Sequence, residues 1–173
     1  EYPFPDSERF LVLLNRGASG RPVTTLRRQL AGAFSARGVP FDIVEPSDRE
    51  EAFRVTRAAA KRGYRAVVAA GGDGTVGAAL RGTAGTEVPV AIVPCGTGNQ
   101  LALNFGIPSS LEESVGVAVE GRVVKVDIGR ANGEPFALMA GAGLDADVMT
   151  DATTELKNRL GFAAYLYSGF KNA

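Results

Sequence analysis

The amino-acid sequence predicts an α/β fold, an open and mostly parallel sheet with helices on both faces. Apolar runs of strand length alternate with helix-length segments at short spacing, two of the runs are continuously apolar like buried strands, and three are followed at once by glycine-rich turns.

The elements follow in order. Residues 10–14 are a continuous apolar run, after which residues 15–20 supply turn chemistry and Pro22 a first helical position. A helix is expected over 23–37, closed by Gly38. Residues 41–45 alternate as a strand, and Asp48 is placed to cap a helix that runs to Lys61 or Arg62 and stops at Gly63. Residues 65–70 read as a buried strand, 71–75 as its turn and 76–81 as the next helix. Residues 90–93 make a fourth strand, leading through Pro94-Cys-Gly-Thr-Gly-Asn99 into a helix over 100–105. A further helix is expected over 111–120 and a further strand over 122–127.

Near residue 130 the pattern changes. Asn132-Gly133-Glu134-Pro135 is turn chemistry, and residues 135–143 form an apolar run rich in small side chains. Leu156, Leu160, Ala163, Ala164, Tyr167 and Phe170 then fall at helical steps. The sequence stops at Ala173 inside this periodic stretch, so a second domain, begun and not finished, is expected. Its unpartnered apolar face makes self-association, as a homodimer, an expected behaviour.

Composition narrows the chemistry. The 173 residues carry 19 Lys plus Arg and 19 Asp plus Glu, and this neutral balance sets aside a generally basic nucleic-acid-binding domain. Histidine is absent and Cys95 is the single cysteine, which excludes Ser-His-Asp and Cys-His catalysis, His-ligated metals and internal disulfides. Acid, base and metal work falls to carboxylates, lysines and backbone groups. The longest apolar runs, such as 10–14 and 66–70, fall far short of the roughly 20 residues that span a bilayer, so a membrane is touched only from its surface. A lone thiol suits a cytoplasmic, reducing location.

The three glycine turns, 15–20, 71–75 and 96–99, belong on the carboxyl edge of the sheet, where open α/β sheets bind ligands. Amides bared by glycine at helix starts favour an anion such as a nucleotide's phosphates. Gly72-x-Gly74-x-x-Gly77 matches the dinucleotide fingerprint formally, but Asp73 inside it repels a pyrophosphate unless a cation intervenes. The acid expected after the next strand is also missing, since Pro94 and Cys95 stand there. Asp73 fits better beside a magnesium-loaded triphosphate. It can alternatively serve as a carboxylate accepting backbone amides within its turn. No Gly-x4-Gly-Lys-Ser/Thr occurs, which sets aside a P-loop NTPase, and Cys95 reads as a small buried spacer.

Gly71-Gly-Asp-Gly-Thr75, Pro94-Cys-Gly-Thr-Gly-Asn99 and Asn15-x-x-x-Ser-Gly20, in this order, resemble the catalytic domain of the diacylglycerol kinase and sphingosine kinase lipid kinases. The similarity continues through Asn104-Phe-Gly-Ile-Pro108, Val126-Asp-Ile-Gly129 and Gly143-Leu-Asp-Ala146, over nearly the whole chain. The resemblance implies a Rossmann-like nucleotide-binding domain, here 1–128, joined to a mainly β, substrate-side domain that begins at 129–173. It also implies ATP and Mg²⁺ as cofactors, a lipid hydroxyl as acceptor, of the diacylglycerol or sphingoid kind, and transient contact with a membrane surface.

Carried over by position, Asn15, Ser19 and Gly20 would meet the nucleotide, and Gly71, Gly72, Gly74 and Thr75 would cradle its phosphates. Gly96, Thr97 and Asn99 would complete the ATP site from the third turn. Asp73 would be the essential acid beside Mg-ATP, and Arg21 with Asp127 would form a charged network in the cleft; the other reading of that pair is a solvated surface pair. The chain departs from the family pattern at Gly77 and Ala78, where an Asn-Glu pair is usual, and at Gln100, where Asp is frequent. A nucleotide-binding module without turnover therefore stands beside the kinase reading, with an NAD kinase third. The resemblance implies that the acceptor's base lies in the second domain beyond Ala173; Asp145 and Asp147 are late acids that could approach the cleft, and their alternative role is to start a helix.

Overall fold

The computed structural model describes residues 6–15 and 21–137. Four strands form one sheet: β1 (Phe10–Leu14), β2 (Phe41–Val44), β3 (Ala66–Gly71) and β4 (Val90–Pro94), all parallel and in the order β2-β1-β3-β4. The helices between them are α1 (Val23–Ser35), α2 (Arg49–Lys61) and α3 (Asp73–Thr83), followed by α4 (Gln100–Asn104) and α5 (Leu111–Glu120). The predicted parallel α/β class is what the chain adopts.

Side-chain alternation divides the sheet into two dry faces. Phe10, Val12 and Leu14 of β1 point with Ala66, Val68 and Ala70 of β3 toward Leu26, Leu30 and Phe34 of α1 and Val115 of α5. Burying Phe10 and Phe34 completely contributes on the order of 1.5–3 kcal/mol each. On the opposite face, α2 and α3 pack against each other and on β1 and β3. Arg57 of α2 ties that pair together by donating to the carbonyls of Gly82 and Ala84 at 3.3 and 3.1 Å. Central strands apolar on every residue are what two covered faces require.

Local signals set the helix ends. Asp48 caps α2 by accepting the Glu51 amide at 2.8 Å, and the Glu51 carboxylate returns to the Ser47 amide at 2.7 Å. Those amides hold the Asp48 and Glu51 carboxyls below their ordinary pKa. Gly38 and Gly63 end α1 and α2 with positive φ of 65° and 72°.

Two expectations are corrected. The third helix begins at Asp73, not at 76, because Gly72 serves as its N-cap and accepts the amides of Thr75 and Val76, so the glycine turn is itself the first helical turn. Residues 122–127 form no strand. Val123, Val124 and Val126 are 69%, 50% and 44% exposed, and the segment has no ladder partner; β-propensity marks a residue that fits a pleated surface without supplying one. The strands found there are β5 (Gly129–Ala131) and β6 (Glu134–Phe136), an antiparallel hairpin. Its turn is Asn132-Gly133, with φ of 50° and 82°, the positive pair that a two-residue hairpin needs. The compact unit built on the large sheet extends through Ala137. The rest of the apolar run, 138–143, and the helical face expected after it, with Asp145 and Asp147, lie outside the described residues.

Candidate nucleotide site

Strand order selects the place for a ligand. The chain leaves β1 for β2 on one side and later adds β3 on the other, so β1 and β3 diverge at a topological switch point, outside whose carboxyl ends open sheets hold ligands. Register brings the turns level. Leu14 lies opposite Ala70 and Gly71 opposite Pro94. The ladder runs one residue further at each strand end, with the Asn15 amide on Ala70 O at 3.1 Å and the Cys95 amide on Gly71 O at 3.0 Å.

Four contacts lock the turns together. Asn15 Nδ2 donates to Thr75 Oγ1 at 3.2 Å, joining the end of β1 to α3. A side chain on Gly71 would overlap that same Thr75, so the threonine hydroxyl takes the room the glycine leaves. Gly72 and Gly96 meet backbone to backbone: a Cβ on Gly96 would stand 2.5 Å from Gly72 Cα. The Asp73 carboxylate, at the start of α3, accepts the amides of Gln100 and Leu101 at 3.1 Å each and so caps α4 from another element. Asp73 thus takes up backbone amides, and they come from the next turn rather than its own. Gln100, noted for lacking a carboxylate, contributes through its main chain.

Asn99 closes the third turn on itself. It sits at φ 50°, accepts the Gly96 amide on Oδ1 at 2.9 Å and donates Nδ2 to Gly96 O at 2.7 Å. Replacing Asn99 with alanine removes both bonds and leaves a β-carbon in the left-handed region. The expected cost is about 2 kcal/mol, a fall in melting temperature of about 4–8 °C by calorimetry.

Cys95 is buried beneath this turn. Burial pushes its thiol up to about 11 from the ordinary 9.0, against the opposing pull of the Arg21 charge. At pH 8 about one thiol in a thousand is ionised, so labelling by iodoacetamide in the folded protein should be negligible and should climb only near pH 11. Folding raises this pKa, so its contribution to stability is complete below pH 9.0 and is lost as pH rises through about 11. Rapid labelling of folded protein at pH 8 would contradict the placement.

The remaining predicted residues are less engaged. Gly74, Thr97 and Gly77 are exposed, and a side chain on Gly77 would meet open space. Ser19 and Gly20 lie outside the described residues. Arg21 and Asp127 are both exposed, and among the described residues no ion pair joins them. Among the described residues no three Cys, Asp or Glu gather as a metal site. No described helix is long and apolar enough to cross a membrane.

A cavity of about 220 Å³ opens at the switch point between Asn15, Gly74, Thr75 and Ala78 and the β2–α2 connection, Pro46 to Arg49. Sequence reasoning left that connection out of the site, although it follows a parallel strand that pairs with β1 up to Leu13 opposite Val44. Its position on the carboxyl edge was the available signal. A larger, shallow groove of about 680 Å³ follows the outer edge of β2 between α1 and α2 and contains none of the turn residues; the switch-point cavity is the one that adjoins the site.

A parallel sheet with glycine turns interlocked along its carboxyl edge defines an open, doubly wound α/β domain. Within that class, the chain belongs to the diacylglycerol kinase catalytic domain family, whose model matches residues 9–131. It is 33% identical to a Citrobacter koseri protein named "Probable lipid kinase YegS-like" over 96% of this chain and 55% of the relative. A protein of the same name from Cronobacter sakazakii is 35% identical over 92% of this chain and 54% of its own length. The crystal structure of a diacylglycerol kinase from Bacillus anthracis superposes with a TM-score of 0.63 at 26% identity, covering 75% of this chain and 48% of that one. The chain spans about half the length of the curated relatives it matches.

Proposed function

We propose that the whole protein is an ATP-dependent lipid kinase and that residues 1–128 are its nucleotide side, with the substrate side beginning at 129. The observation that carries this reading is the bridge between the turns after β3 and β4, Gly72 against Gly96 and Asp73 on the amides of Gln100 and Leu101, beside the switch point of a family member's sheet. Phosphoryl transfer needs alignment and charge neutralisation more than covalent help. Turns that cannot separate supply fixed amides for the phosphates of ATP. The Asp73 carboxylate retains acceptor positions beyond its two amide bonds, with which it would face Mg-ATP. The lipid hydroxyl oxygen attacks the γ-phosphorus, the bond to the β–γ bridging oxygen breaks, ADP leaves, and a carboxylate of the substrate side takes the hydroxyl proton. Contact with the membrane that holds the lipid is transient and from its surface.

The test is transfer of labelled phosphate from Mg-ATP by the full-length protein to diacylglycerol, to sphingoid bases and to NAD. Transfer to a lipid supports the reading. Nucleotide binding without transfer to any acceptor supports the module without turnover, which the bare α3 surface at Gly77 and Ala78 favours, and transfer to NAD alone would move the protein to another kinase class.

A further inference from the structure

We infer that Arg49 binds a phosphate group of the nucleotide, an inference that rests on the nucleotide reading above and adds a residue to that site. Arg49 opens α2, on the connection that follows edge strand β2, and lines the 220 Å³ cavity with Asn15, Gly74, Thr75 and Ala78. Gly74 and Ala78 stand one helical turn apart, so the wall of α3 is bare there. Into that space comes the guanidinium, with Nη2 3.9 Å from where a Cβ on Gly74 would stand.

The other polar groups of the cavity are already engaged. Thr75 Oγ1 holds Asn15, the Asp48 carboxylate accepts the Glu51 amide, and Ser47 Oγ donates to Glu51. Glu50, the next residue along α2, faces Arg81 at 3.5 Å. Arg49 itself makes no hydrogen bond or ion pair among the described residues. A guanidinium offers donors only, in a planar fork that matches phosphate oxygens. The volume decides how much of the ligand enters. At about 220 Å³ the cavity is below the roughly 300–1,000 Å³ of a complete small-molecule site, so it takes a charged end of the ligand while the rest lies along the turns.

The experiment measures affinities of the full-length protein for ATP, ADP, adenosine and inorganic pyrophosphate by calorimetry, in the wild type, Arg49→Ala and Arg49→Lys. Arg49→Ala should weaken ATP and ADP about tenfold and leave adenosine unchanged, with Arg49→Lys between, since a point charge replaces the fork. The loss should shrink in high salt, as an exposed charge contact must. Equal weakening of adenosine would place Arg49 on the base or ribose and overturn the inference. Unchanged ATP affinity in an Arg49→Ala protein that melts like wild type would overturn it too. If the wild type binds no nucleotide, the kinase reading fails separately; pyrophosphate binding lost in Arg49→Ala then supports an anion site, and pyrophosphate binding indifferent to the substitution rejects one.

Discussion

Asp73→Ala in the full-length protein should lower phosphoryl transfer at least about 100-fold, the scale on which removing one aligned electrostatic group acts. Two consequences add. In the proposed role the acid facing Mg-ATP is lost, and the amides of Gln100 and Leu101 lose their shared acceptor, so the third turn is freed from α3. Charge-assisted bonds of this kind, on a half-exposed carboxylate, are worth about 2 kcal/mol together. The melting temperature should fall by about 4–8 °C. Asp73→Asn separates the two effects: its oxygen can keep one amide while its NH₂ cannot accept the other. Hydrogen exchange at Gln100 and Leu101 reports the clamp, and turnover with Mg-ATP reports the charge. Undiminished turnover in Asp73→Ala would falsify the assignment.

Gly96→Ala carries the largest expected effect on stability. Its new β-carbon would lie 2.5 Å from Gly72 Cα and 3.0 Å from Gly72 N, against main chain that no rotamer change can clear. The turns must part, which also breaks the Asn99 contacts to Gly96. Overpacking of this kind costs about 3 kcal/mol, so a fall of about 6–12 °C in melting temperature is expected. Gly77→Ala, by contrast, enters open space on an exposed helix position and should stabilise by up to about 1 kcal/mol. Equal melting temperatures for the two variants would remove the Gly72–Gly96 contact from the account.

What could be read in the sequence was whatever neighbours in the chain decide. Asp48, Gly38, Gly63 and the Asn132-Gly133 turn all act within a few residues, and each is where the pattern put it. The alternation of strands and helices then placed the three glycine turns on one edge without reference to any contact. Other features depend on partners far along the chain. Asp73 finds its amides 27 and 28 residues away, and Arg49 matters because of the bare face of α3. The segment 122–127 has strand-like residues, but strand formation rests on a ladder partner that the large sheet does not offer it.

The strand order also bears on how the chain is made. β1 is first in sequence but sits inside the sheet, and its partner on the switch-point side, β3, begins at Ala66. Until β3 leaves the ribosome, Phe10-Leu-Val-Leu-Leu14 has one bare edge and no polar residue to guard it, the condition in which nascent strands pair with the wrong neighbour. The same event that covers this edge brings Asn15 to Thr75. A growing chain therefore acquires the crevice at its switch point and loses its most adhesive edge together.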